Sequence, residues 1–244
     1  MEITMRHFLM SVAALSIFSL TACGQAGASG KLNRAEVEQI VKEYLLENPE
    51  IIREAFQALE IKEERAALDD VRDAVFKDPR DVSIGSKDAK VTIVEFFDYN
   101  CGYCKRSTEW IKEVMEEHGD EVRIIFKELP LLDGRTKTSR YAAKVALAAA
   151  RQGKYSTIHF SLMNERSLTE DRVLKIAEKA GLDMDKLDKD LEDPALERHI
   201  NDTIVLAQRI PSLTGTPYFL INDEQVSGAN TPELQRLLNE ALDG

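Results

Sequence analysis

The stretch Glu95–Lys105, EFFDYNCGYCK, sets two cysteines at C-x-x-C spacing directly after an apolar run. That run, Val91–Phe97 (VTIVEFF), is β-branched and aromatic with little polar alternation. Such a pattern belongs to a strand buried on both faces. Beyond the pair, Ser107–His118 has helical periodicity and Gly119 is a suitable stop. Cys101 therefore falls where a strand gives way to a helix. The free N–H groups and the positive dipole end of a helix favour a thiolate there. Cys101 is the expected exposed nucleophile. Cys104, one turn into the helix, is the expected shielded thiol, spaced to resolve a mixed disulfide on Cys101 into a Cys101–Cys104 bond.

Other uses of a cysteine pair fare worse. The chain has three cysteines and four histidines. A structural zinc site takes four ligands, and a C-x-x-C pair supplies two. His118, His159 and His199 stand singly on helical stretches, so no metal is expected. A bridge across two intervening residues closes almost no loop, which rules out a disulfide-stapled scaffold. No cofactor is expected beyond the redox-active Cys101–Cys104 pair itself.

The 244 residues carry a net charge of -11 and are 43% hydrophobic, enough for one sizeable domain and an extension. The acidic balance argues against nucleic acid as a partner. The opening stretch, MEITMRHFLMSVAALSIFSLTAC, has a short polar start with Arg6 and an apolar run from Phe8 to Leu20. The run is short for a bilayer span and has the length of a secretory h-region. Leu20-Thr21-Ala22-Cys23 resembles the bacterial lipobox, whose cysteine is lipidated; the alternative is an ordinary signal peptide with an incidental cysteine. On the lipobox reading, residues 1–22 are a lipoprotein signal peptide, Cys23 carries the lipid, and residues 23–31 form a flexible tether. The protein then works in the periplasm or cell envelope, anchored to a bacterial membrane, where disulfides persist.

Residues 32–78 read as a helical arm. Val37, Ile40, Val41, Tyr44 and Leu45 fall on one face, and Asn48-Pro49 interrupts, with Asn48 as the expected N-cap of a second helix. That helix carries Ile52, Ala55, Phe56 and Leu59, then a thinner stripe of Ala66, Val71 and Val75. Pro79 to Lys90 reads as loop. Val122–Leu129 is a second strand. A long helical stretch follows, about 136–210, broken at Gly153, Gly181 and Pro194. Tyr218–Ile221 is a strand, Asn222-Asp223 a turn, Gln225–Ser227 a short return strand, and Thr231 the expected N-cap of a final helix.

VEFFDYNCGYCK and the later GTPYF resemble the DsbA-like branch of the thioredoxin superfamily, over about Ser83 to Leu242. The resemblance implies an α/β thioredoxin-like fold over 79–244, with the helical stretch as an insertion between core strands. It implies that Pro217 is cis and faces Cys101, with the Thr216 backbone offered to an extended substrate as an added strand. It implies that Gly102 and Tyr103 tune the redox poise and touch substrate. It also implies that Glu95, six residues before Cys101, is a buried proton relay for Cys104, with Lys127 a candidate partner. The alternatives are a trans proline in a plain turn and a Glu95 that points to solvent.

Gly102-Tyr103 with Thr216 resembles the isomerase (DsbC) type, whereas the overall pattern resembles DsbA, an oxidase. VEQIVKEYLLENPEIIREAFQALE resembles the N-terminal segment of ScsC-like proteins, which implies a homo-oligomer, dimer or trimer. The alternative is an arm folded back on its own domain. The function expected is that of a disulfide isomerase acting on exported cysteine-containing proteins and reset by a membrane redox partner. A dithiol oxidase and a lipid-anchored chaperone or binding module are the alternatives.

Overall fold

The computed structural model describes residues 33–244; the expected signal peptide, Cys23 and the expected tether lie outside the described residues. The first helix, α1 (Arg34–Glu47), opens on a capping box. The Asn33 side chain accepts from the Glu36 N–H at 3.1 Å, and the Glu36 carboxylate accepts from the Asn33 N–H at 2.9 Å. Asn48 closes this helix instead of opening the next. Its side-chain amide donates to the Tyr44 carbonyl at 2.8 Å, because the last carbonyls of a helix lack partners and an amide N–H supplies one. No residue of α1 is buried, and Val37, Ile40, Val41 and Tyr44 are all exposed.

Helix α2 (Glu50–Phe76) runs across the division between two compact units, which falls between Arg53 and Glu54. Within the second unit Leu68, Val71 and Val75 are buried in one cluster with Val94, Phe96, Ile125 and Leu220. The helical arm expected over 32–78 is α1 and α2, and the last turns of α2 lie against the sheet. The thin stripe read on this helix is core, since these are the apolar residues that cover one face of the sheet.

The remaining elements are β1 (Val82–Gly85), β2 (Val91–Phe97), α3 (Gly102–His118), β3 (Val122–Glu128), α4 (Asp133–Thr136), α5 (Ser139–Ala150), α6 (Tyr155–Met163), α7 (Glu170–Lys179), α8 (Met184–Leu191), α9 (Pro194–Gln208), β4 (Tyr218–Ile221), β5 (Glu224–Ser227) and α10 (Thr231–Asp243). The sheet order is β1-β3-β2-β4-β5. β2 and β3 are parallel, joined by α3, and the other pairings are antiparallel. Ile93, Phe97, Phe126 and Phe219 belong to the cluster shared with α3 and the inserted helices, while Val94, Phe96 and Tyr218 belong to the α2 side. Both faces are covered, which is why these strands read as apolar runs. Among the described residues no helix is long and apolar enough to cross a membrane.

β1 replaces part of the expected loop. It is a four-residue edge strand paired antiparallel with β3, too short to show alternation. Gly85 ends it at φ +87, and a Cβ there would lie 2.1 Å from the Val122 carbonyl oxygen, so only glycine fits. Asn230, not Thr231, caps α10, its side chain accepting from the Glu233 N–H. The lone tryptophan, Trp110 on α3, is nearly buried; its Nε1–H donates to Gln235 of α10 at 2.9 Å and its ring meets Phe219 edge-on at 5.9 Å.

Candidate active site

Cys101 is the N-cap residue of α3, at φ -79 and ψ 116, and its side chain makes no capping bond. Its sulfur is left free at the helix start. The backbone N–H groups of Tyr103 and Cys104 point at it. Both cysteines are free thiols. Both residues are buried, Cys101 at 8% exposure and Cys104 at 0%, so the nucleophile expected to be exposed is only narrowly open. Cys101 is held down to about 5. The Cys104 thiol hydrogen-bonding to its sulfur is the largest cause, the helix N–H groups add, and partial burial opposes. Cys104 is pushed well above its usual value, first by burial and then by the neighbouring Cys101 and Glu95. The two thiols of one pair are thus driven in opposite directions.

The Thr216–Pro217 peptide bond is cis. The Cys101 Sγ lies 3.2 Å from the Thr216 carbonyl oxygen, to which it donates when it is protonated. The loop before β4 and the start of α3 therefore meet at the sulfur. Gly102 and Tyr103 are exposed beside it.

Glu95 lies within β2 at 0% exposure, so it does not face solvent. Its Oε1 accepts from Ser107 Oγ at 3.2 Å, and its Oε2 is buried with no partner. Burial raises its pKa to about 8, and Cys101 adds to the rise against the Ser107 bond. It is thus a neutral acid at pH 7 that can hold and release a proton. Lys127 is not its partner. In the sheet Glu95 pairs with Phe126, and Lys127 pairs with Phe96, so Lys127 points from the opposite face. There it is ion-paired with Asp81 and donates to the Ala74 carbonyl at 2.5 Å. The other Asp81 oxygen is 2.9 Å from His199 Nε2.

Two further acids, Asp98 and Glu128, sit at the ends of the central strands, and the sequence alone does not single them out as site residues. Asp98 accepts from the Asn100 N–H and Ser139 hydroxyl, each at 2.7 Å, and from the Leu132 N–H at 2.8 Å. It ties the end of β2 to the loop after β3 and to α5. Glu128 is buried and accepts from the Tyr155 hydroxyl at 2.8 Å and the Tyr99 hydroxyl at 3.1 Å. The Tyr99 oxygen also sits 3.1 Å from His159 Nδ1, and burial lowers that histidine to about 3. Glu128 shares with Glu95 the signal of an acid inside an apolar run. Asp78, Asp81 and His199 have ligand atoms within 4.8 Å of one another. Two cations already occupy the carboxylates, Arg80 on Asp78 and Lys127 on Asp81, and both repel a metal ion.

Residues 92–239 match the family model of the DSBA-like thioredoxin domain, and residues 33–66 match that of the copper resistance protein ScsC N-terminal domain. A thioredoxin-like oxidoreductase from Silicibacter pomeroyi DSS-3 is 37% identical with a TM-score of 0.64, over 71% of this chain and 98% of that one. A linker-deletion mutant of Proteus mirabilis ScsC is 27% identical with a TM-score of 0.69, over 88% and 99%. The thiol-disulfide exchange protein alpha-DsbA2 from Wolbachia pipientis is 28% identical with a TM-score of 0.65, over 72% and 95%. The Na(+)/H(+) antiporter NhaA 3 of Salinispora tropica is 32% identical over 150 residues, 61% of this chain. The chain spans only 22% of that relative's length and 25% of the Salinispora arenicola one.

Proposed function

Since the chain belongs to the DSBA-like thioredoxin domain family, we propose that it is a thiol-disulfide exchange enzyme for exported cysteine-containing proteins, working chiefly as an isomerase. The observation that carries the exchange chemistry is the opposed shift of the two thiols, Cys101 held down to about 5 and Cys104 pushed up. At neutral pH Cys101 is the thiolate. It attacks one sulfur of a substrate disulfide, a mixed disulfide forms, and the other substrate sulfur leaves as a thiolate that takes up a proton. In isomerisation a second substrate thiolate attacks the mixed disulfide, forms a new substrate bond and releases the Cys101 thiolate. In reduction Cys104 loses its proton to the ionised form of Glu95, attacks Cys101 Sγ and expels the substrate sulfur, which takes up a proton, leaving a Cys101–Cys104 disulfide. Glu95, in the fraction that has released its own proton, is the proposed acceptor through its unpartnered oxygen. Thr216 and Pro217 line the approach to the sulfur and Gly102-Tyr103 its rim, so both form the proposed substrate contact.

The isomerase reading rests on the arm. The exposed apolar residues of α1, and Phe56 and Leu59 on α2, support a self-associated dimer or trimer whose clefts hold one misfolded chain between them. A stabilised thiolate at Cys101 also favours the reduced form and makes the disulfide form an oxidant, which supports the oxidase reading. The two part company in one assay, reactivation of a scrambled, wrongly bridged test protein. The parent is compared with a double variant, Ile40→Glu with Tyr44→Glu, both at exposed positions of α1. Loss of reactivation in the variant, with oxidation of a reduced test protein retained, supports the isomerase. Failure of both proteins to reactivate, with both oxidising, leaves the oxidase. Retention of a client-holding activity after Cys101→Ser and Cys104→Ser, with no redox activity in the parent, leaves the chaperone.

A further inference from the structure

A pocket of about 450 Å³ opens beside the sulfur, between α3 and the loops flanking β4 and β5. Tyr103 and Arg106 form one wall, one turn apart on α3. Thr216 and Pro217 form the next, and Thr216 is the residue whose carbonyl meets Cys101. Gly228 and Asn230 close the far side, held in place by the Gly228 N–H, which donates to the Pro217 carbonyl at 2.8 Å. The pocket is therefore continuous with the place where a substrate sulfur must arrive.

Arg106 is the one charged side chain that lines it among the described residues. Arg106 has no carboxylate partner among the described residues; its guanidinium lies over the Tyr103 ring at 4.3 Å from the centroid. Stacking fixes the plane of the group and leaves its N–H edge free, the arrangement in which a guanidinium meets a carboxylate. Tyr103 is itself 58% exposed, so the wall is open to an incoming chain.

On the thiol-exchange reading, we infer that this pocket seats a residue flanking the substrate cysteine, and that Arg106, set on the Tyr103 ring, selects an acidic side chain there. The chain's net charge of -11 acts in the opposite sense and attracts basic substrates at long range. A preference for an acidic neighbour therefore reports the pocket and not the overall field.

The test uses three blocked peptide disulfides that differ only in the residue next to cysteine: Glu, Gln or Lys. Second-order rates of mixed-disulfide formation with the reduced full chain are measured, and each is divided by the Gln peptide's rate so that changes in Cys101 reactivity cancel. The expected Glu-to-Lys ratio is roughly three- to fivefold at low salt, as for an exposed charge contact, shrinking as salt rises. Arg106→Glu should invert it. A ratio near one or below in the parent, or a preference for Glu that survives Arg106→Glu, overturns the inference. If none of the three disulfides reacts with the parent, the thiol-exchange reading itself falls, an outcome distinct from reaction without preference.

Discussion

Cys101 and Glu95 make separable claims about protons. The Cys101 sulfur is held at about 5, chiefly by the Cys104 thiol, so alkylation by iodoacetamide should be flat above about pH 6 and half-maximal near about pH 5. Cys104→Ala removes the largest cause and should move that midpoint upward by roughly one to two units. A parent midpoint near that of an ordinary thiol would remove the nucleophile. Glu95 is raised to about 8. Its folded form binds the proton more tightly than its unfolded form, so stability falls as pH climbs from the ordinary carboxyl range to about 8. Each pH unit in that window is worth up to about 1.4 kcal/mol. Glu95→Gln carries no such slope. Its stability relative to the parent should improve by about 2–4 kcal/mol between pH 5 and pH 8, read from urea unfolding, and parallel pH profiles would show that Glu95 is not a buried neutral acid. Glu95 was legible in the sequence as an acid inside an apolar strand. The tyrosines and histidine around Glu128 were not, because their partners lie far apart in the chain.

The elements divide by how much of their surface is covered. Val91–Phe97 and Tyr218–Ile221 match the sequence reading to the residue, because strands buried on both faces leave an unbroken apolar signature. β1 left none, being short and at the edge. Lys127 shows the other limit. Its neighbour in sequence, Phe126, sits beside Glu95, and a shift of one residue puts a side chain on the opposite face of a sheet. There Lys127 and Asp81, with 1% and 3% side-chain exposure, link β3 to the segment before β1, and His199 of α9 joins them. Asp81→Asn leaves a buried ammonium without its counter-charge and should cost about 3–5 kcal/mol. Adding Lys127→Met should recover most of that loss, since a buried pair exchanged for apolar atoms is close to neutral. Urea midpoints of the parent, both single variants and the double variant check this; additive losses would mean that the pair is not coupled.

At the scale of the whole molecule, composition and the N-terminal stretch drew the outline, while the line between arm and domain needed coordinates. A helix that begins as an exposed arm and ends as core shows no break in its sequence. Ile40 and Tyr44, at 51% and 56% exposure, are apolar area that association can remove from water, at about 25 cal/mol per Å². Sedimentation of the parent is expected to give a dimer or trimer, and Ile40→Glu with Tyr44→Glu a monomer; a monomeric parent refutes the oligomer. The lipid is tested apart from the fold. Cys23→Ser should move the protein from the membrane fraction to the soluble fraction of cells, and unchanged partition would return Cys23 to an incidental cysteine.

Trp110 gives the chain an optical asymmetry. The chain contains one tryptophan, and its indole is shut between α3 and α10, on the helix that begins at the thiols. Its emission colour therefore follows the docking of that helix with no label attached. The unit ending at Arg53 has no indole and is silent at that wavelength, although its helix contributes fully to circular dichroism. Two melting curves recorded on one sample by the two lights will overlay if both units give way together. Any gap between them measures, in degrees, the independence of the arm.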